Sequence, residues 1–326
     1  MKWQAPNNLS NTLYLPLANA NPNIEITDCS CSEDFSVKTS NHWLSVWNTP
    51  KNNSASEICQ NLIDLLKPIA ELSLIAQNKI PIHAKDEPHD LVTETDIGIE
   101  LLLKRWFDTH LPTHKLVGEE SKKPLISSTD ICWYIDPIDG TANYAEKKSN
   151  FCINLGSTYN GAPYVNIIYH PPTHTYHYQT PTETSYSPSA SIPKTICTEY
   201  YPHRILEDER FKLILKKTQW TAFQTQALGV SLFEMINGKC GAFFKPSGKP
   251  WDIIAGAAIL ATADQWDISF FTKDHHEISL FSNSNSYIDY INIKLATNCR
   301  IGTLIITPKQ APQIKEIIIK TLFHGE

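Results

Sequence analysis

The stretch from 131 to 144 constrains the fold more than any other part of the chain. Ile131, Cys132, Trp133, Tyr134 and Ile135 form an unbroken apolar run, which reads as a buried strand. It runs straight into Asp136, Pro137, Ile138, Asp139, Gly140 and Thr141. A buried strand thus delivers two carboxylates three residues apart, with Pro137 stiffening the turn between them. Both carboxylates can then face one centre, with the Ile138 carbonyl as a third oxygen. That donor set suits a hard cation such as Mg2+. Gly140 lets the backbone approach a ligand closely, and the N–H groups after it open a helix, a natural seat for phosphate. A plain Asp-Pro and Asp-Gly turn would require none of this coincidence.

Composition narrows the rest. Of 326 residues, 41% are hydrophobic and 19% charged, which describes a soluble globular protein with one large core or two joined domains. The net charge of −6 and only four arginines (Arg105, Arg204, Arg210 and Arg300) leave no basic patch for a nucleic-acid backbone. The eight cysteines include no C-x-x-C pair, and Cys29 and Cys31 suit neither a zinc knuckle nor a redox couple. Reduced, mostly buried thiols are expected. Residues 13–20 are apolar but broken by Pro16 and Asn19, and no other run could span a bilayer. The expectation is a cytoplasmic protein with no membrane attachment.

Residues 1–54 are rich in Asn, Ser and Pro, yet hold Trp3, Trp43 and Trp47, so they read as an ordered, irregular arm packed on the body. Residues 54–78 look helical, with Ile58, Leu62, Leu65 and Leu66 on one stripe and a kink or break expected at Pro68. A second helix follows Asp96, carried by Ile99, Leu102, Leu103 and Trp106 and stopped at Leu111 and Pro112. Strands are expected at 115–117, 131–135, 151–159 and 164–169, the last two joined by a hairpin turn at Asn160, Gly161, Ala162 and Pro163. The Ser/Thr/Pro-rich stretch 180–193 is the candidate domain boundary. Beyond it, a helix at 230–237, a strand at 242–244 and an Ala-rich helix at 253–262 are expected.

Three further segments carry acids. Asp90, Glu94 and Asp96 lead into the second helix, where acids also serve as caps. Gly118, Glu119 and Glu120 directly follow a strand, and alone would read as a surface turn. Asp252 stands after Pro250 and Trp251 where the Ala-rich helix begins, a good N-cap position.

Taken in this order, the four segments resemble the inositol monophosphatase family, within the lithium-sensitive, metal-dependent phosphatase superfamily. The resemblance spans about 55–320 and is thin across 176–227. It implies a layered α-β-α-β-α sandwich behind an N-terminal extension at 1–54. An α+β metal- and phosphate-binding domain at 55–190 and an α/β domain at 191–326 would complete the site. It implies two or three Mg2+ ions held by Glu119, Asp136, the Ile138 carbonyl, Asp139 and Asp252. Asp96 and Thr141 match the pair that orients and deprotonates the attacking water. Gly140 and Thr141 match the phosphate-binding turn, Ala142 and Lys245 the substrate wall, and Lys85 a mobile loop. Family members are commonly homodimers acting on small phosphorylated metabolites.

One departure bears on substrate. Inositol-hydrolysing members commonly carry a glutamate where this chain has Lys245, and an ammonium there favours an anionic or acceptor-rich substrate. A bisphosphorylated sugar or nucleotide is therefore the alternative substrate class. A non-catalytic regulatory member is a further alternative, although no metal carboxylate is missing. His170, His174 and His177 flank Pro171 and Pro172, which exclude a regular helix gathering the rings on zinc.

Overall fold

The computed structural model describes residues 54–78, 82–84, 91–121, 124–127, 129–198, 208–246, 248–272, 274–278, 280–281 and 302–325. The arm at 1–53, with its three tryptophans, and Lys85 lie outside the described residues. Helix α1 (Ala55–Ala76) opens with a capping box, in which Ser54 N–H donates to Glu57 Oε2 at 2.7 Å and Glu57 N–H to Ser54 Oγ at 3.3 Å. The break expected at Pro68 does not occur: one 22-residue helix runs through it. Burial of Leu62, Leu65 and Leu66 before the proline and Ile69 and Leu72 after it outweighs the single lost backbone bond.

A two-stranded antiparallel ribbon, β1 (Ile82–Ala84) and β2 (Leu91–Thr93), leads into α2 (Glu94–His110). The first large sheet orders β3 (Lys115–Gly118), β4 (Cys132–Asp139), β5 (Cys152–Tyr159), β7 (Asn166–His170) and β8 (Thr175–Gln179), with the short β6 (Ala162–Pro163) paired to β5. Helix α3 (Thr141–Ala145) lies between β4 and β5. At the β5–β6 turn Asn160 and Gly161 both take positive φ, 52° and 74°, the conformation a two-residue hairpin demands.

The second sheet orders β10 (Thr221–Phe223), β9 (Thr195–Thr198), β11 (Ala242–Lys245), β14 (Thr303–Pro308), β12 (Trp266–Phe271) and β13 (Glu277–Ile278). Its helices are α4 (Glu209–Thr218), α5 (Leu228–Ile236), α6 (Pro250–Leu260) and α7 (Pro312–Ile319). Among the described residues no helix is long and apolar enough to cross a membrane.

Alternation along the strands sorts the apolar side chains into three cores, and these define the layers. Trp133, Ile135, Ile153, Leu155 and Ile167 leave the first sheet toward α1 and α2. Tyr134, Cys152 and Ile168 leave its other face, toward Leu232 of α5 and Ile254 of α6. Phe243, Phe270, Leu304 and Ile306 of the second sheet close on those same two helices. Phe244, Phe271 and Ile305 point away, toward α4 and α7. Both sheets are therefore covered on both faces, which explains their near-continuous apolar runs. The order is α-β-α-β-α.

Two details seat the site. Gly156 of β5 lies so close to α6 that a Cβ there would come within 2.8 Å of Ala255 N, so α6 rests directly on the strand. Along β4, Asp136 pairs with Asn154 and Asp139 with Cys152, so three steps on one strand oppose two on the other. This is a β-bulge. In a regular strand, acids three apart would point to opposite faces. The extra residue restores them to one side, because each shares a face with its partner on β5.

Candidate active site

The bulge brings Asp136 and Asp139 to the side of the sheet where α5 and α6 pack. Helix α6 adds Asp252, and single ligand oxygens of these three carboxylates all lie within 4.8 Å of one another. Asp252 is the third residue of α6, two positions inside the helix start, because Pro250 at the first position begins the helix earlier than its Ala-rich run suggests. It keeps a capping role as well: Asp252 Oδ2 accepts the Lys249 N–H at 3.1 Å. Asp136 Oδ1 accepts the Ile138 N–H at 3.0 Å, which folds the strand end back on itself. Asp139 Oδ2 accepts the Gly229 N–H from the start of α5 and faces the Cys152 thiol at 3.6 Å.

Beside this cluster, the Thr141 hydroxyl lies 3.2 Å from Asp96 Oδ1 and 3.0 Å from the Ile138 carbonyl. Asp96 is fully buried in the first turn of α2. Gly140 caps α3 with φ 92°, a left-handed conformation, and a Cβ there would strike Asn150 O at 2.7 Å. Among the described residues no side chain caps α3 at Gly140, so its first N–H groups are available to another acceptor. The turn is braced from behind. Asn143 Nδ2 donates to the Asn150 and Thr225 carbonyls at 2.8 and 3.0 Å, and the Tyr144 hydroxyl to Ser73 O at 2.6 Å.

Charge is concentrated here. Burial, then the nearby Glu119, Asp139, Asp252 and Asp96, push the Asp136 carboxyl well above the usual carboxylate range. Burial, then Asp139 and Glu119, push Asp252 up to about 8, against the opposing pull of the Lys249 N–H and the Lys245 ammonium. Buried like charges of this kind are tolerable only with protons or cations among them. The donors offered are oxygens from four carboxylates and one carbonyl, the chemistry a hard divalent cation takes. The residues present therefore fit such an ion.

The structure thus gathers Asp96, Glu119, Asp136, Ile138, Asp139, Gly140, Thr141 and Asp252 around one locus. Lys245 ends β11 half-buried, close enough for its charge to act on Asp252. Ala142 lies half-buried in α3. The histidines are elsewhere: His170 engages Thr173 and Ser149, His177 engages Asn237, and both rings pack on Phe233. Among the described residues the five cysteines are buried, and none forms a disulfide. Sequence reasoning missed Asn143, Cys152, Glu100 and the Gly229 N–H. For Glu100, the one available signal was its place four residues after Asp96 on the same helix face.

The profile of the inositol monophosphatase family matches residues 52–264. The inositol-1-monophosphatase of Bacillus subtilis is 27% identical over 209 residues, covering 59% of this chain and 77% of that protein. Protein qutG of Emericella nidulans is 36% identical over 92 residues, covering 27% of this chain and 28% of its own length. The chain thus spans under a third of one curated relative and about three quarters of the other. Among solved structures, an IMPase/NADP phosphatase complexed with NADP and Ca2+ superposes with a TM-score of 0.66 at 20% identity, covering 84% of this chain and 98% of that one. That likeness is one of fold, and the profile match carries the assignment: this chain belongs to the inositol monophosphatase family.

Proposed function

We propose that this chain is a Mg2+-dependent phosphatase that hydrolyses a small phosphate monoester with water as nucleophile. The observation that carries the reading is the gathering of Asp136, Asp139 and Asp252 within 4.8 Å, beside a Thr141 hydroxyl in reach of Asp96. Glu119, Asp136, the Ile138 carbonyl, Asp139 and Asp252 would hold two or three ions. Bound there, divalent cations lower the pKa of water and neutralise the departing alkoxide oxygen.

The chain's own residues do the rest. Asp96 accepts the Thr141 hydroxyl proton, leaving the threonine oxygen oriented to accept a proton from the attacking water. The open N–H groups after Gly140 hold the phosphoryl oxygens, whose charge is spread in the transition state. No carboxylate needs to act as a nucleophile. In this arrangement the domain at 55–190 supplies Asp96 through Thr141, and the domain at 191–326 supplies Asp252 and Lys245. The family's habit of pairing supports a homodimer, which size-exclusion chromatography with light scattering would test.

A second reading concerns the substrate. Lys245 opposes the upward push on Asp252, so a positive charge stands beside the cluster. That favours a substrate bearing a second anionic group, such as a bisphosphorylated sugar or a nucleotide. The resemblance in fold to an IMPase/NADP phosphatase bound to NADP is in keeping with this. Phosphate release from an aryl phosphate, measured with chelator and again after adding Mg2+, tests the first reading. Turnover that survives chelation would rule it out. A panel of inositol, sugar and nucleotide phosphates then separates the two substrate classes.

A further inference from the structure

We propose that Glu100 is a positioning residue, fixing the loop that carries Glu119 at a set distance from the Asp96–Thr141 pair. The inference rests on the phosphatase reading and adds to it a residue that never touches substrate or metal.

Glu100 lies on α2 and is only 3% exposed. Its Oε2 accepts the backbone N–H of Glu120 at 2.7 Å, whereas among the described residues its Oε1 has no hydrogen-bond partner. The carboxylate sits where a side chain of residue 118 would be, since a Cβ on Gly118 would fall 2.2 Å from Oε1. Glu119 is therefore held on both sides. Its own N–H donates to Ile135 O of β4 at 3.1 Å, and the next N–H is gripped by Glu100.

A buried carboxylate with one oxygen unpartnered is a poor packing element, and an apolar side chain of like size would serve packing better. What the acid provides is an oxygen that accepts a single amide N–H. Asp96 and Glu100 stand four residues apart, one helical turn, and so share a face of α2. At one turn Asp96 meets Thr141, and at the next Glu100 meets the loop of Glu119. The helix acts as a spacer between the water-activating pair and a proposed metal carboxylate.

The test compares Glu100→Met, which keeps volume and loses the acceptor, with Glu100→Gln, whose amide oxygen can accept the same N–H. Divalent-cation affinity of the full chain is read by calorimetry with Mg2+ and Mn2+, alongside melting temperature. Glu100→Met should weaken cation binding by about 10–100-fold, the usual effect of losing a residue that orients a ligand. Glu100→Gln should stay near wild type. Should Glu100→Met fold poorly, Glu100→Ala combined with Gly118→Ala refills part of the vacated space and should show the same weakened binding in a folded protein. The proposal is overturned if the Met or double variant binds cations like wild type, or if Glu100→Gln binds as weakly as Glu100→Met. A wild-type chain that takes up no divalent cation would instead overturn the phosphatase reading itself.

Discussion

Divalent-cation binding should expel protons in an amount the structure sets. Asp252 is pushed from an ordinary 3.8 to about 8, and Asp136 is raised alongside it. At pH 6.5 Asp252 alone then carries about one proton, and near pH 9 about a tenth of one. A cation entering the cluster displaces that proton and any held by Asp136, so apparent affinity should climb by at least about tenfold per pH unit between pH 5 and 7. The sign for stability follows. With its folded pKa raised, the neutral form's advantage is complete below 3.8 and is lost as pH rises through about 8. In full that loss is roughly 6 kcal/mol, or on the order of 10 °C in Tm, for the metal-free protein. Adding Mg2+ at high pH should restore it. Calorimetric titrations at pH 6.5 and 9, in buffers of differing ionisation enthalpy, count the released protons directly. Intact binding with no proton release at pH 6.5 would refute the claim that these acids repel one another around a shared ion.

Asp252→Asn keeps the acceptor for Lys249 N–H but removes a charge. It should lower kcat by at least about 100-fold while leaving the metal-free Tm unchanged or higher at pH 8. A fall in stability alone would assign Asp252 to capping. Thr141→Val should lose about 100-fold or more in kcat with KM little altered, whereas Thr141→Ser retains most activity; equal losses would remove the hydroxyl from proton transfer. Gly156→Ala should cost about 1–3 kcal/mol by lifting α6 off β5, measured by urea denaturation, and a neutral result would contradict the close helix–strand approach. Lys245→Glu should shift preference toward inositol phosphates and away from doubly anionic substrates, and an unchanged profile would place this side chain outside the pocket.

The chemistry was legible in the sequence because a buried strand ending in two acids is a rare juxtaposition, and the layered order followed from the resemblance. Side-chain parity was not legible. Asp136 and Asp139 stand at odd spacing, and only the register against Asn154 and Cys152 reveals the bulge that unites them. Glu100 looked like any acid on an amphipathic helix, since its partner is a backbone N–H twenty residues away. The second sheet was read only in part. Strands such as Thr195–Thr198 are four residues long, and β14 joins β11 from some sixty residues away, where local periodicity carries no pairing information. Pro68, expected to kink or divide its helix, does not divide it, because burial on both sides outweighs its intrinsic cost.

Ile138 faces two ways. Its side chain is wholly enclosed among the residues beneath α1 and α2, while its carbonyl turns toward Thr141 on the far side of the strand. A main-chain oxygen has no codon of its own, so no substitution can delete it, but any change in the greasy layer behind it can tilt it. Selection for turnover would therefore act on positions with no polar atom to offer. Hydrocarbon residues of the same core, such as Leu103 and Ile153, would then tune the ion proposed at this oxygen without ever meeting it.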